Sequence, residues 1–193
     1  MTQAYRLGNG GNETAFDTNG RQTMAGNARV YAYDWIDASA IQSSGTKPAE
    51  YTVNTNGFAV IEFADNAEKE IQFSVKVHDC ADLTADMAIC VGWSSPTQSA
   101  NCNWLLTYLV TAVNESTEAA GTPVDDLYAS SATANGLVLS PIPIPAAAFS
   151  AGDVCIHCKL ERDGDDETDT LSAVAHLHGI ALKCVRNCLG GAV

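Results

Sequence analysis

Apolar and polar side chains alternate along several short segments of the chain. The clearest case is residues 71–77, where Ile71, Phe73, Val75 and Val77 are separated by polar residues. A period of two is typical of a β-strand with one buried and one wet face. Residues 87–93 alternate in the same way, but the intervening residues are small and apolar. That second pattern predicts a central strand that is covered on both sides.

Further runs rich in aromatic and β-branched residues bring the number of predicted strands to about eight. The sequence has no sustained helical period and no internal repeat. Residues 37–57 are loop-like, and residues 114–135 form a long excursion with one short helical turn near 124–128. The last two strands are expected to pair as a hairpin across an acidic turn. Proline cannot donate to a sheet ladder, so the strand containing Pro141 and Pro143 is expected at an edge. The further predicted strands cover residues 30–36, 58–63, 103–113, 136–144, 154–161 and 171–185.

These elements predict an all-β fold, an antiparallel two-sheet sandwich of jelly-roll type with an extended N-terminal arm. Residues 1–28 are rich in Gly, Asn, Thr and Gln, and they carry too little apolar surface to offset the entropy of ordering. We therefore divide the chain into a flexible arm, 1–28, and a sandwich domain, 29–193. The arm lacks the basic start and apolar stretch of a signal peptide, which predicts synthesis and folding in a cytoplasm.

Composition narrows the classes of partner. The chain has 193 residues, 46% of them apolar, and a formal net charge of −13. This charge would repel a phosphate backbone, so nucleic acid is not an expected partner. No apolar run approaches the roughly 20 residues that a membrane helix requires, so no membrane contact is expected.

Cysteine and histidine supply the candidate metal ligands, although the expectation is that the protein holds no metal and no cofactor. A C-x2-C pair, Cys155 and Cys158, precedes Cys184 and Cys188, and two such pairs can form a tetrahedral zinc site. In a regular strand, however, residues three apart project to opposite faces, so burial of the thiols is favoured. His176 and His178 would share a strand face, where a subunit contact is favoured over a metal site.

The acidic run 163–169 offers oxygen ligands for calcium, but it lacks the ligand order of an EF-hand loop, which favours a solvated turn. No nucleophile elbow and no phosphate-binding glycine loop accompanies it, so we expect no enzyme and no catalytic residues. Trp35, Trp93 and Trp104 all lie in apolar segments. That placement favours core positions over stacking on sugars.

The C-terminal half contains the pattern A-G-D, a strand, R-D-x-D-D-x-x-D-T-L, a second strand and L-x-G-I, at positions 151–153, 162–171 and 177–180. With the strand around Phe73 and the region from Trp93 to Trp104, this arrangement resembles small β-sandwich virion proteins of tailed bacteriophages, over residues 58–182. The long arm and the tail from Cys184 to Cys188 depart from that pattern. The resemblance implies a non-catalytic homotrimer that belongs to the particle.

Three hypotheses follow. The leading one is a capsid cement or decoration protein on the virion surface that binds the major capsid protein lattice, with the arm as the first candidate for the contact. The second is a tail fibre or spike module that binds a host receptor or glycan through exposed residues, for which Tyr128 and Trp104 are candidates. The third is a metal-dependent or hydrolytic enzyme.

Overall fold

The computed structural model describes residues 14–16, 22–24, 29–41, 43, 45–186 and 188–189. Within them the chain is all β, and the predicted antiparallel sandwich of jelly-roll type is confirmed. The strands are β1 (Thr14–Phe16), β2 (Gln22–Met24), β3 (Val30–Asp37), β4 (Glu50–Val53), β5 (Ala59–Phe63), β6 (Glu68–Lys76), β7 (Met87–Ser94), β8 (Asn101–Ala112), β9 (Thr122–Ala129), β10 (Val138–Ile144), β11 (Asp153–Asp163), β12 (Ala175–Arg186) and β13 (Cys188–Leu189). Two single-turn 3₁₀ helices, Ala38–Ala40 and Ala146–Ala148, interrupt the described segments. Neither has the length or the apolar character required to cross a membrane.

Two antiparallel sheets form the sandwich. The larger has the order β10-β7-β12-β5-β4, and β3 also pairs with β12. Strands β3 and β5 can both pair with β12 because β5 pairs with its residues 175–177 and β3 with its residues 179–186. The smaller sheet has the order β6-β11-β8-β9. A separate small sheet joins β1, β2 and β13.

The core lies between the two large sheets, where alternate residues of both meet. Trp93 from the larger sheet and Trp104 from the smaller one are both fully buried. Their ring centroids lie 5.8 Å apart with planes at 71°, and Phe63 meets Trp104 edge-on at 5.1 Å. Edge-to-face pairs of this kind add roughly 0.5–1.5 kcal/mol to the burial of the rings themselves. The tryptophans therefore tie one sheet to the other.

Strand placement confirms several of the predictions. All eight residues of β7 are buried and the strand lies between β10 and β12, as its small intervening residues indicated. The proline-bearing strand β10 is an edge of the larger sheet, as predicted.

Other predictions of local structure are wrong. The helical turn expected near 124–128 is part of strand β9, which pairs with β8 and alternates exposed and half-buried residues. The loop expected at 37–57 contains β4. Both are edge strands with mixed composition, so their apolar alternation is weak. Of the predicted arm, residues 14–16 and 22–24 form strands, and the remainder of 1–28 lies outside the described residues.

The expected hairpin between the last two long strands is also wrong. Strand β11 belongs to the smaller sheet and β12 to the larger one, so the connection crosses from one layer of the sandwich to the other. Sequence adjacency favours hairpins, but here the connecting segment is long and is fixed by buried polar contacts of its own.

Candidate functional site

The acidic segment after β11 is organised around one buried ion pair. Arg162 and Asp169 have side chains 0% and 1% exposed. The guanidinium donates from Nε to Asp169 Oδ2 and from Nη2 to Oδ1, each at 2.9 Å. It also donates to the backbone carbonyls of Phe63, Leu171 and Ala173. The pair therefore holds the crossover to the larger sheet in place.

Two acids of the run are engaged in hydrogen bonds within the segment. Asp169 is occupied by Arg162 and also accepts from the backbone N–H groups of Asn103 and Leu171. Asp166 accepts from the backbone and hydroxyl of Thr168, and these hydrogen bonds lower the pKa of its carboxyl. Among the residues that the structure describes, no group of three His, Cys, Asp or Glu side chains is placed to hold a metal.

The cysteine candidates are dispersed as strand geometry predicted. Cys158 faces the core, whereas Cys155 is only half-buried and lies on the other face of β11. Cys184 lies in the opposite sheet, and Cys188 pairs through its backbone with β2. Burial raises the pKa of the Cys158 thiol and that of Cys184, so both thiols stay protonated at neutral pH.

The tryptophans divide between core and surface. Trp93 and Trp104 are fully buried, as expected, but Trp35 is 47% exposed and the prediction of a core position is wrong for it. Full burial also removes Trp104 as a sugar contact. The Tyr128 hydroxyl lies within hydrogen-bonding distance of two acceptors, the Asp126 carboxylate and the carbonyl of Pro141 at the β10 edge.

The outer face of the larger sheet carries four large apolar side chains that are exposed, Tyr31, Tyr33, Trp35 and Leu139. Directly paired residues project to the same side, so the register places three rows across β10, β7, β12 and β3. These rows are Pro143, Ala88, Lys183, Tyr33; Pro141, Cys90, Ala181, Trp35; and Leu139, Gly92, Gly179, Asp37. We call these rows, together with Tyr31, the apolar face.

Along its middle, the apolar face is formed by small residues of β7 and β12, with Lys183 as the exception. Ala88, Cys90 and Ala181 form a buried cluster there, the floor of the face. On one side stand Leu139 and the two prolines of β10, and on the other stand Tyr31 and Tyr33, 65% and 54% exposed. Lys183 Nζ lies 4.6 Å from the ring centroid of Tyr31, a cation–π contact.

The Trp35 indole lies across this floor because two glycines leave room for it. A Cβ built on Gly92 would be 2.4 Å from Trp35 Cη2, and one built on Gly179 would be 2.5 Å from Cζ2. The ring thus rests on the backbone of β7 and β12 with its far side exposed. Sequence reasoning missed this, although the two glycines inside apolar strands were the available signal for a close approach.

At the other end of the same face lies a cleft of about 470 Å³. We call it the polar cleft. It brings together the predicted pair His176 and His178 with residues from four other segments, none of which the sequence singled out as a site. Its polar side chains are Asn54, Thr55, Asn56, Glu62, Ser94, Asn135, His176 and His178.

A bulge in β12 brings both histidines into the cleft. Leu177 pairs with Trp93 and Gly179 with Gly92, so His178 is the extra residue between them. Its Nε2 lies 2.8 Å from Ser94 Oγ, while His176 Nε2 lies 3.2 Å from Glu62 Oε1.

The charge state of His178 follows from these surroundings. Burial and the neighbouring His176 lower its pKa, and Asp37 opposes them. His178 is therefore neutral at neutral pH.

The Ser94–His178 contact has the first two members of a hydrolase triad, and in the part of the chain that the structure describes no carboxylate is hydrogen-bonded to the other ring nitrogen of His178. Such a triad needs a carboxylate hydrogen-bonded to the far ring nitrogen. Asp37 is the carboxylate that acts on His178 electrostatically, but its Oδ1 is hydrogen-bonded to the backbone N–H and hydroxyl of Ser39. The arrangement is suited to hydrogen bonding of a ligand.

The sequence matches no protein-family model and no curated protein. Among solved structures, the chain is similar to the carbohydrate-binding module TmCBM27, described for specific mannan recognition, at 10% identity over 81% of this chain and 98% of that chain, with a TM-score of 0.40. It is similar to CBM28, a module specific for non-crystalline cellulose, at 10% identity over 82% and 88%, with a TM-score of 0.35. A structure of infectious bursal disease virus, Gx strain, follows at 9% identity over 98% and 43%, with a TM-score of 0.33. Similarities of this size carry no argument about function.

Proposed function

We propose that this protein is a non-enzymatic structural component of a bacteriophage virion, a capsid cement or decoration protein that binds the major capsid protein lattice and stabilises the head. The observation that carries the proposal is the apolar face. Monomeric proteins rarely expose contiguous apolar surface of this kind unless another macromolecule covers it.

The chemistry of the apolar face suits a protein partner. Tyr and Trp are the residues most enriched among interface anchors, because each buries a large area and loses little conformational entropy. Tyr31, Tyr33 and Trp35 project from one regular strand, so the backbone beneath them is already ordered. Binding would therefore cost less ordering entropy than it would for side chains on a mobile loop.

Charge separates this face from the rest of the surface. The protein carries a formal charge of −13, yet the three rows contain one acid, Asp37, and one base, Lys183. Acidic surface elsewhere disfavours indiscriminate association. The prolines of the β10 edge remove backbone donors, so contact there relies on side-chain packing and not on strand addition.

The test is to mix the purified protein with empty heads of the virus that encodes it and count bound copies by sedimentation and cryo-imaging. The double variant Tyr31→Ser/Tyr33→Ser removes two large side chains from the apolar face. We expect saturable binding of the wild type at lattice junctions and at least tenfold weaker binding of the variant.

Tyr51→Ser is the matched control. Tyr51 is 55% exposed, but it pairs with the core residue Ile61 and so lies on the opposite side of the sheet. A variant lacking residues 1–28 tests the predicted arm separately, and sedimentation of the protein alone tests the homotrimer. Absence of wild-type binding to heads would refute the cement role and direct attention to tail fibres or spikes.

A further inference from the structure

The polar cleft gathers hydrogen-bonding groups of both kinds in a space of about 470 Å³. Glu62 supplies carboxylate oxygens, of which only Oε1 lies against His176. Asn54 uses its side-chain oxygen to accept from the backbone N–H groups of Asn56 and Phe58, each at 3.0 Å. Its side-chain NH₂ donors remain for a ligand. Adjacent acceptors and donors of this kind are what neighbouring hydroxyl groups require, because each hydroxyl both donates and accepts.

The walls of the cleft are held in place without a ligand. The turn carrying Asn54 is closed by hydrogen bonds from Asn54 N to Phe58 O and from Gly57 N to Asn54 O, both 2.9 Å. Gly57 has the left-handed φ of 83° that favours glycine. Asn135 also has a left-handed φ, 58°, and its backbone N–H donates to Ser95 O at 2.7 Å. A preformed site loses little entropy on binding.

An apolar ring borders this polar cleft. Trp35 rests on Gly92 and Gly179. Ser94 lies two residues beyond Gly92 on the same strand face, a spacing of roughly 7 Å, and His178 directly precedes Gly179. A half-exposed indole face beside convergent hydroxyl-binding groups matches a pyranose ring, which has polar edges and an apolar C–H face.

From this juxtaposition we infer that the polar cleft and the Trp35 ring together form a binding site for a neutral saccharide unit. Glu62 and Asp37 disfavour acidic sugars at this position, as does the overall charge of −13. The saccharide site shares Trp35 with the apolar face, but the two proposals are tested apart, because the docking variant changes Tyr31 and Tyr33 and the sugar variant changes Glu62.

The fluorescence of Trp35 provides a measurement of saccharide binding. It is 47% exposed, whereas the other two of the three tryptophans in the chain are fully buried. We would titrate the full chain with glucose, mannose, galactose, N-acetylglucosamine and their linear trisaccharides to millimolar concentrations. The readouts are acrylamide quenching of tryptophan emission and saturation-transfer NMR of the sugar. At least one neutral saccharide should bind and protect Trp35 from acrylamide, while N-acetylneuraminic acid should not.

Glu62→Gln keeps the shape of the side chain and removes its charge. Gln keeps an acceptor oxygen, so only the advantage of a charged over a neutral hydrogen bond is lost, and binding should weaken by roughly 5- to 10-fold. Glu118→Gln makes the same change in an exposed turn and should leave binding unchanged. Circular dichroism of both variants checks the fold.

Two results would overturn the inference: no binding of any saccharide in the panel to the wild type, or equal binding to wild type and Glu62→Gln. Head binding by Glu62→Gln should match the wild type. A failed sugar titration and a failed docking test are thus separate outcomes.

Discussion

Charged side chains are buried in the segment 162–171, whereas large apolar side chains are exposed on strand β3. The first carries a run of charges, and its central pair, Arg162 and Asp169, is fully buried. The second carries Tyr31, Tyr33 and Trp35, and all three are about half exposed or more. Charge here fixes the fold, and apolar surface is left for contact.

The contrast indicates where a binding surface should be sought. Burying an ion pair costs several kcal/mol of desolvation, which is offset only when every donor and acceptor is satisfied. Arg162 makes five hydrogen bonds to Asp169 and to three carbonyls, and Asp169 accepts two more from the backbone. No capacity remains for a ligand. The exposed rings of β3, by contrast, present apolar surface to solvent, and a partner could cover it.

The largest expected effect comes from breaking the buried pair. Arg162→Met leaves the Asp169 carboxylate buried without its cation, and removing one partner of such a pair costs about 3–5 kcal/mol. The free energy of unfolding, measured by urea denaturation, should fall by that amount. Lys76→Met is the control, since Lys76 and Asp79 are 70% and 55% exposed and such surface pairs contribute little to stability. Equal losses in the two variants would show that the buried pair is not special.

The tryptophans show the same contrast between a buried and an exposed side chain. Trp104→Ala opens a cavity in the core between the sheets and should cost about 3–5 kcal/mol. Trp35→Ala removes a ring that is already half exposed, so its loss should be less than half of that. Thermal and urea unfolding of the two variants measure the difference. A larger loss for Trp35→Ala would mean that the apolar face stabilises the fold more than the core does.

Strand patterns were predictable from sequence where both faces of a strand have a consistent environment. Strand β7 has small residues on one side and large ones on the other, and β8 places Trp104, Leu106 and Tyr108 in the core. Strand β3 has the same aromatic and β-branched composition, yet it lies at an edge where half of its residues meet solvent. Composition alone does not distinguish those two environments.

The candidate site was less predictable because its residues come together only through tertiary pairing. The polar cleft draws on positions 54–56, 62, 94, 135, 176 and 178, and only the two histidines form a local pattern. The crossover fixed by Arg162 was likewise missed. A basic residue among the apolar residues of β11, followed seven positions later by an acid, was the available signal.

A smaller effect on stability is expected from changing a glycine beneath the Trp35 ring. In Gly179→Ala the new Cβ would lie 2.5 Å from the Ile36 carbonyl oxygen and from the Trp35 ring, so β3 must shift outward. Overpacking of this kind costs about 1–3 kcal/mol. The variant should lose that much stability and expose Trp35 further to acrylamide. Ala181→Gly, on the same face, is the control because it removes a methyl group without a clash. Gly152→Ala would not serve, because the φ of Gly152, 103°, adds strain.

The smallest expected effect is a pH dependence that originates in the polar cleft. Burial, with His176 nearby, lowers the pKa of His178 below its usual value, against the opposing Asp37. The unfolded chain therefore takes up this proton first as the pH falls. Stability from this residue is complete above the unfolded pKa of about 6.5 and is lost as the pH falls through the lower folded pKa. His178→Gln should lessen the decline in urea stability between pH 7.5 and pH 5, a window above the carboxyl titrations. Because the other three histidines remain in both proteins, the difference between the two curves reports His178 together with its interaction with His176, and parallel curves would show that its burial has no energetic consequence.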